Sequence, residues 1–431
     1  MATAPIRIQP KNRVLAWVEE RLPILSFLSS HTSGYYAPKN FNVWYYFGSL
    51  ALVILVNQIL TGIFLTMFYN PSAAGAFASV EYIMRDVDWG WLIRYMHEVG
   101  ASMFFIVVYL HMFRGLMYGS YKKPRELVWL LGMLIFLALM AEAFMGYVLP
   151  WGNMSFWGAK VIITLFSAIP VIGQTLVTWI MGDFHPADAT LNRFFALHVI
   201  ALPLVLLLLV VLHLAALHEV GSNNPDGVEI KKDKDADGKP LDGIPFHPYY
   251  TVKDLFGVGF FLIICAFIIF FKPTVGGWFL EPDNFMPANN LVTPAAIKPV
   301  WYFTPFYAIL RMIPNKGLGV FALLSSIVAL FLVPWLDRGK VKSIRYRGLG
   351  YKIALGVFAL VFVLLGSIGA DKTAEWIPQI FGAQANVTFI ENLFGRTLTL
   401  LYFGFFIFLW AYTHFGFEKT KPVPERVTSH D

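Results

Sequence analysis

Eight stretches of mostly apolar residues, each about twenty long, punctuate the chain near 45–68, 92–117, 127–148, 194–218, 254–272, 317–336, 351–370 and 397–416. At 1.5 Å of rise per residue, twenty residues cross the roughly 30 Å of hydrocarbon in a bilayer. Inside lipid a spanning backbone must satisfy its own N–H and C=O groups, which a continuous apolar stretch of this length does as a helix. The expectation is an all-α integral membrane protein with eight transmembrane helices. Composition agrees, since 57% hydrophobic against 14% charged residues leaves too little polar surface to cover a water-soluble globule.

Charge is concentrated between the stretches, so the formal net charge of +6 matters less than its placement. Lys and Arg gather in the N-terminal tail (Arg7, Lys11, Arg13), the Arg114 to Arg125 turn, the Lys231 to Lys253 loop and the Arg338 to Lys352 loop. The alternate connections carry fewer, with more Asp, Glu, Pro and Trp. That asymmetry is what membrane insertion requires, and it puts both termini on the cytoplasmic side. No nucleic-acid partner is needed to explain it. The single cysteine, Cys265, excludes an internal disulfide and a Cys-x-x-Cys-His heme attachment. Met1 to Glu20 has no apolar core with a small-residue cleavage site, so no secretory signal is expected. There is no Walker loop, Gly-rich nucleotide fingerprint or internal repeat. The charged stretch Gly221 to Pro245 reads as a solvated connector, which divides the chain into an N-terminal four-helix unit (1–220), a cytoplasmic connector (221–250) and a C-terminal four-helix unit (251–431).

The second to fourth stretches hold ionisable residues that lipid disfavours, so chemistry is expected there. His97 and His111 lie fourteen positions apart in the second stretch. That is nearly four turns, placing both rings on one helix face about 21 Å apart along the axis. In the fourth stretch His198 and His213 lie fifteen apart, about 22 Å, with Pro203 between them to adjust the turn count. Two helices thus offer two matched levels, His97 with His198 toward the outer face and His111 with His213 toward the inner. Two imidazoles fill both axial positions of a heme iron and leave no open site, a coordination suited to electron transfer. Structural zinc wants closer ligand clusters than these helix-length separations.

Gly48 and Gly62 in the first stretch, and Gly132 and Gly146 in the third, repeat the fourteen-residue interval. A flat macrocycle against a helix needs positions without side chains, although membrane helices also use glycine to pack closely. Arg94 and Arg114 stand one turn outward from His97 and His111, where they can meet heme propionates or reach for headgroups. The expected cofactors are two non-covalent b hemes, each ligated by two histidines, stacked inside the first four helices.

With these histidines and glycines, the runs MGYVLPWGNMSFWGA (Met145 to Ala159) and PVWYFTPFYAILR (Pro299 to Arg311) resemble the cytochrome b family of the cytochrome bc complexes, respiratory complex III. The resemblance covers nearly the whole chain, in the fused eight-helix respiratory form rather than the split photosynthetic pair. It implies quinol oxidation at an outer site, quinone reduction at an inner site and proton translocation by a Q cycle. It implies as partners a Rieske iron-sulfur protein, a membrane-anchored c-type cytochrome, quinone and lipid, within a homodimeric complex. Carried over, the outer site is lined by Phe144, Tyr147, Gly158, Ile162, Pro299, Trp301, Tyr302 and Tyr307, with Tyr147 and Tyr302 in the chemistry. The inner site uses His218 and Asp254, a histidine and a carboxylate suited to delivering protons to two quinone oxygens.

Two departures stand out. The family more often has Glu where this chain has Val300, and a valine cannot accept a proton. Glu142, one turn before Gly146, is the expected substitute carboxylate, since a buried acid in lipid is functional by default. The other departure is the fifteen-residue interval from His198 to His213, against a more usual fourteen. The Val300 variant and the long charged connector point to a bacterial inner membrane. A diheme anchor of a dehydrogenase, or a proton-relay transporter without heme, is the competing class.

Overall fold

The protein is described by a computed structural model over residues 8–382 and 384–428. Arg7, counted above in the basic tail, lies outside the described residues. Among these residues, eight helices are long and apolar enough to cross a membrane. They are Val43–Thr66, Gly90–Tyr118, Glu126–Val148, Asp188–Val220, Phe246–Phe271, Lys316–Leu336, Leu349–Gly369 and Val387–His414, called here the first to eighth spans. The fold is all-α but for a two-stranded antiparallel ribbon pairing Tyr36–Pro38 with Gly243–Pro245.

Several spans begin earlier than their apolar stretch. The fourth starts at Asp188 and the eighth at Val387, each entering through a polar turn that holds Arg193 or Glu391. Hydropathy marks where lipid begins, whereas the helix begins at its cap. For the eighth span that cap is Asn386, whose side chain accepts the Phe389 N–H.

The fourth span is not a uniform helix. It runs as α-helix over Asp188–Ala196, as a π turn over Leu197–Ala201 and as α-helix again over Leu202–Val220. Within the turn the Leu202 N–H donates to Leu197 O, five residues back. One additional residue is thereby absorbed between His198 and His213, directly before Pro203.

The first span packs along the second and the third along the fourth, and together they form the N-terminal bundle. The fifth lies against the first and second. The sixth, seventh and eighth group around the short helix Thr304–Arg311. Lipid tails are as apolar as leucine, so these helices are held by close packing and internal hydrogen bonds rather than by water exclusion. Phe358 stacks on Phe405 at 4.4 Å between the seventh and eighth spans, and the Tyr402 hydroxyl donates to Ser326 O at 2.8 Å. Gly369 lets the backbone in, because a Cβ there would meet Thr304 O at 2.0 Å. This close approach seats Thr304–Arg311 against the seventh span.

At one end of the molecule the basic connections meet. Glu229 of the connector accepts from both terminal nitrogens of the Arg125 guanidinium, at 2.6 and 2.9 Å, and pairs with Lys342. Arg347, fully buried, is held by Asp337 and Glu418. The connector is thus only partly solvated as expected: its centre is exposed, but Asn223, Asn224, Asp226 and Asp242 are buried. The side-chain partners of the two acids, among them Arg345, Thr428 and Arg426, lie more than a hundred residues away. Composition alone does not reveal them.

Candidate functional site

Four spans converge on two levels inside the N-terminal bundle. His97 and His198 face each other with ring centroids 6.2 Å apart, and His111 and His213 at 6.4 Å. Each ring is backed by one of the four glycines. A Cβ on Gly62 would lie 3.2 Å from His97 Cε1, on Gly146 2.4 Å from His198, on Gly48 3.4 Å from His111 and on Gly132 3.3 Å from His213.

At the first level the neighbours fix which ring nitrogen is free. His97 Nδ1 is 2.9 Å from Thr61 Oγ1, whose own hydroxyl donates to Asn57 O at 2.6 Å. The imidazole therefore donates from Nδ1 and keeps a lone pair on Nε2. His198 Nδ1 faces two acceptors of one residue, Glu142 O at 2.9 Å and Glu142 Oε1 at 3.1 Å, with the same consequence. Glu142, the expected substitute carboxylate, thus has one oxygen on an imidazole, while its Oε2 is buried without a hydrogen-bond partner among the described residues. The reason is local: Glu142 stands one turn before Gly146, whose missing side chain admits the His198 ring. At the second level His111 Nδ1 lies 3.3 Å from Arg114 Nη2, and His213 Nδ1 is buried with no hydrogen-bond partner among the described residues.

These residues fit an iron porphyrin. With metal–nitrogen bonds of about 2 Å, two imidazoles on opposite sides of one metal ion would stand about 6 Å apart by ring centroid. Both observed separations match that figure. Among the described residues no group of three or more His, Cys, Asp or Glu side chains could hold a metal, so each pair offers two nitrogens and a bound iron must bring its own equatorial donors. Among the described residues Arg114 forms no ion pair with a carboxylate, and its Nε is buried without a partner. An uncompensated buried guanidinium invites an anion such as a propionate. Arg94 instead lies 3.8 Å from Glu98.

Beyond the first level, three separate segments assemble around Tyr147. The Tyr147 hydroxyl donates to Glu281 Oε2 at 2.9 Å and accepts from Asn284 Nδ2 at 2.8 Å. A Cβ on Gly158, in the helix Asn153–Leu165, would lie 4.0 Å from the Tyr147 ring, and Ile162 is half-buried on the same helix. The loop and helix are pinned by Asn153 N to Met286 O at 2.9 Å and Ser155 N to Asn284 Oδ1 at 2.8 Å. Trp301 donates from its indole to Ser102 Oγ at 3.1 Å, and Tyr302 stacks flat on Phe105 at 3.9 Å. Tyr307 donates to Ile297 O at 3.1 Å, and Phe144 meets Phe194 edge-on at 5.6 Å. Pro299 lines a small cleft that also reaches Glu281. Burial pushes the Glu281 carboxyl up to about 7, against the pull of the Tyr147 hydrogen bond and of Lys298.

At the opposite end, His218 stacks on Tyr35 at 4.4 Å and lies 5.0 Å from the His31 ring. Asp254 accepts from Ser49 Oγ at 2.6 Å, beside Gly48. No hydrogen bond among the described residues joins His218 to Asp254. Sequence reasoning missed Glu281, Asn284, Thr61, His31 and Tyr35. For Glu281 a signal existed: a motif without its carboxylate asks for another within reach of Tyr147.

Known proteins share this architecture. The family described as Cytochrome b/b6/petB matches residues 32–221, and that described as Cytochrome b(C-terminal)/b6/petD matches residues 287–390. The cytochrome b of Allochromatium vinosum is 55% identical over 97% of this chain and 99% of its own length. That of Rickettsia bellii is 51% identical over 96% and 97%. A chain of a hyperthermophilic respiratory complex III superposes with a TM-score of 0.82 at 36% identity, covering 93% of this chain and 99% of its own.

Proposed function

The chain belongs to the cytochrome b family, the membrane electron-transfer subunit of respiratory complex III, and from that premise we propose that it is the catalytic subunit of a proton-translocating quinol:cytochrome c oxidoreductase. His97 with His198, and His111 with His213, hold one b heme each, and the four glycines leave room for the macrocycles. Bound there, the two hemes supply a one-electron relay between a quinol-oxidising site on the outer face and a quinone-reducing site on the inner face, as a Q cycle requires.

The protein's own groups do the rest. Thr61 and Glu142 hold the first pair of imidazoles in the tautomer that presents Nε2. Arg114 and Arg94 offer positive charge to propionates. Tyr147, Tyr302, Phe144, Gly158, Ile162, Pro299, Trp301 and Tyr307 shape the outer pocket and exclude water. His218 and Asp254 deliver protons at the inner one. In this reading residues 1–220 form the heme-holding unit, 221–250 a connector, and 251–431 a unit that closes the outer site.

The convergence of Lys122, Arg125 and Lys342 at one end supports placing that end and both termini on the cytoplasmic side of a bacterial inner membrane. The partners are a Rieske iron-sulfur protein and a membrane-anchored c-type cytochrome, in a homodimeric complex.

The observation that carries the reading is the pair of imidazole separations, 6.2 and 6.4 Å, each backed by glycine. A reduced-minus-oxidised spectrum of the purified complex tests it, together with quinol to cytochrome c electron flow under antimycin-type and myxothiazol-type inhibitors. Two b hemes per chain and sensitivity to both inhibitor classes are expected. A single heme, or flow indifferent to both inhibitors, overturns it.

A further inference from the structure

Val300 is buried at the centre of the outer motif, where no proton can be accepted, yet a carboxylate is present nearby. Glu281 reaches in from the loop after the fifth span and is only 3% exposed. Its Oε2 accepts from Tyr147 at 2.9 Å and from Asn284 at 3.4 Å. Glu281 also lines the small cleft, with room for about one water, together with Trp278, Lys298, Trp301, Thr304 and Lys372. The same residue thus contacts the Tyr147 hydroxyl and borders a polar opening that holds two lysines.

Of the other buried acids nearby, Glu142 has one oxygen on His198 Nδ1 and Glu98 lies 3.8 Å from Arg94, and among the described residues neither is hydrogen-bonded to Tyr147.

We propose that Glu281 is the carboxylate that takes a quinol proton at this site, in place of the side chain that the motif lacks at Val300. The inference rests on the quinol-oxidising reading of the outer pocket. As quinol loses its two electrons to the two one-electron acceptors of the complex, an iron-sulfur partner and a heme, one hydroxyl proton passes to the Glu281 carboxylate and the other is released on the side of the iron-sulfur partner. Tyr147 and Asn284 hold the acceptor oxygen in place. The O–H bond of quinol breaks, an O–H bond forms on Glu281, and the proton then leaves to water through the cleft, which regenerates the carboxylate. Lys298 nearby favours the ionised form. Burial opposes it and leaves the group to titrate at about 7, where both forms are populated. Tyr302 and, on the second span, Glu98 complete its titratable surroundings.

The test is Glu281→Gln in the intact complex. Quinol to cytochrome c turnover should fall at least about tenfold, toward the roughly 100-fold that loss of a general base costs. The rise of rate with pH through about 7 should disappear. The b-heme spectrum, and reduction of the hemes through the inner site in the presence of a myxothiazol-type inhibitor, should match the parent. Glu281→Asp should retain part of the activity, and the double variant E281Q/V300E should recover it. A Glu281→Gln complex with turnover within twofold of the parent and the same pH profile overturns the proposal. So does loss of turnover in Glu142→Gln with full heme while Glu281→Gln stays active. If Glu281→Gln loses its hemes, the profile of Glu281→Asp decides: a displaced acid limb supports the proposal and an unchanged one overturns it. A parent complex that oxidises no quinol would instead sink the reading of the pocket itself.

Discussion

Replacing Gly146 by alanine should release the heme held by His97 and His198 far more readily than replacing Gly48 releases the other. The two substitutions are chemically identical and both sit inside spanning helices, so the helix-propensity gain of about 1 kcal/mol for Gly to Ala cancels between them. What differs is the space. A methyl at Gly48 would lie 3.4 Å from His111 Cε1, an ordinary contact, whereas at Gly146 it would lie 2.4 Å from His198 Cε1. The ring or the helix must yield by about an ångström, and Nε2 belongs to the same rigid ring. Overpacking of this kind costs about 1–3 kcal/mol. At 1.4 kcal/mol per decade, that is about 5- to 150-fold in affinity for the cofactor. Gly62 and Gly132, at 3.2 and 3.3 Å, should fall between. The measurement is heme per chain from difference spectra of the purified variants, with dissociation followed on dilution into apomyoglobin. Equal heme retention in Gly146→Ala and Gly48→Ala would refute the steric argument.

Two further expectations follow from the contacts. Glu142→Gln removes a negative charge 3.1 Å from His198 Nδ1, so the midpoint potential of the heme at that level should rise by tens of millivolts, about 60 mV per tenfold change in relative binding of its two redox states. A redox titration in which neither b heme moves would count against that contact. Glu229 titrates low, at about 2, because burial, which would raise it, is outweighed by Arg125 and Lys342. A depressed folded-state value means the stabilisation is present above the ordinary carboxylate range and lost as pH falls through it toward 2. The thermal midpoint of the detergent-solubilised protein should therefore drop on acidification below about pH 5, and drop less in Glu229→Gln. Parallel acid profiles for parent and variant would remove Glu229 from the account.

The spans were legible because lipid imposes one requirement on twenty consecutive residues, and that requirement leaves a contiguous trace. The histidine and glycine levels were legible for a related reason. Each lies within a single helix, where an interval of fourteen or fifteen converts directly into a face and a height. Glu281 was not, because it sits on an irregular loop 134 positions along the chain from Tyr147 and meets it only through tertiary packing. The sequence therefore offered Glu142, a carboxylate at the right depth, whereas its direction depends on which ring Gly146 admits. His31 and Tyr35 escaped for the same reason as Glu281, since they precede the first span and reach His218 only through tertiary packing. The connector's buried acids were hidden among exposed ones of the same composition.

The π turn at Leu197–Ala201 makes the length of the fourth span negotiable. One residue is stored there as slack, upstream of everything that His213 and His218 must line up with. Deleting it would tighten the turn to ordinary α-helix and give the fourteen-residue interval without moving the second imaginary floor of the bundle. Gain or loss of a residue at this point is thus a change of spelling that leaves the geometry readable.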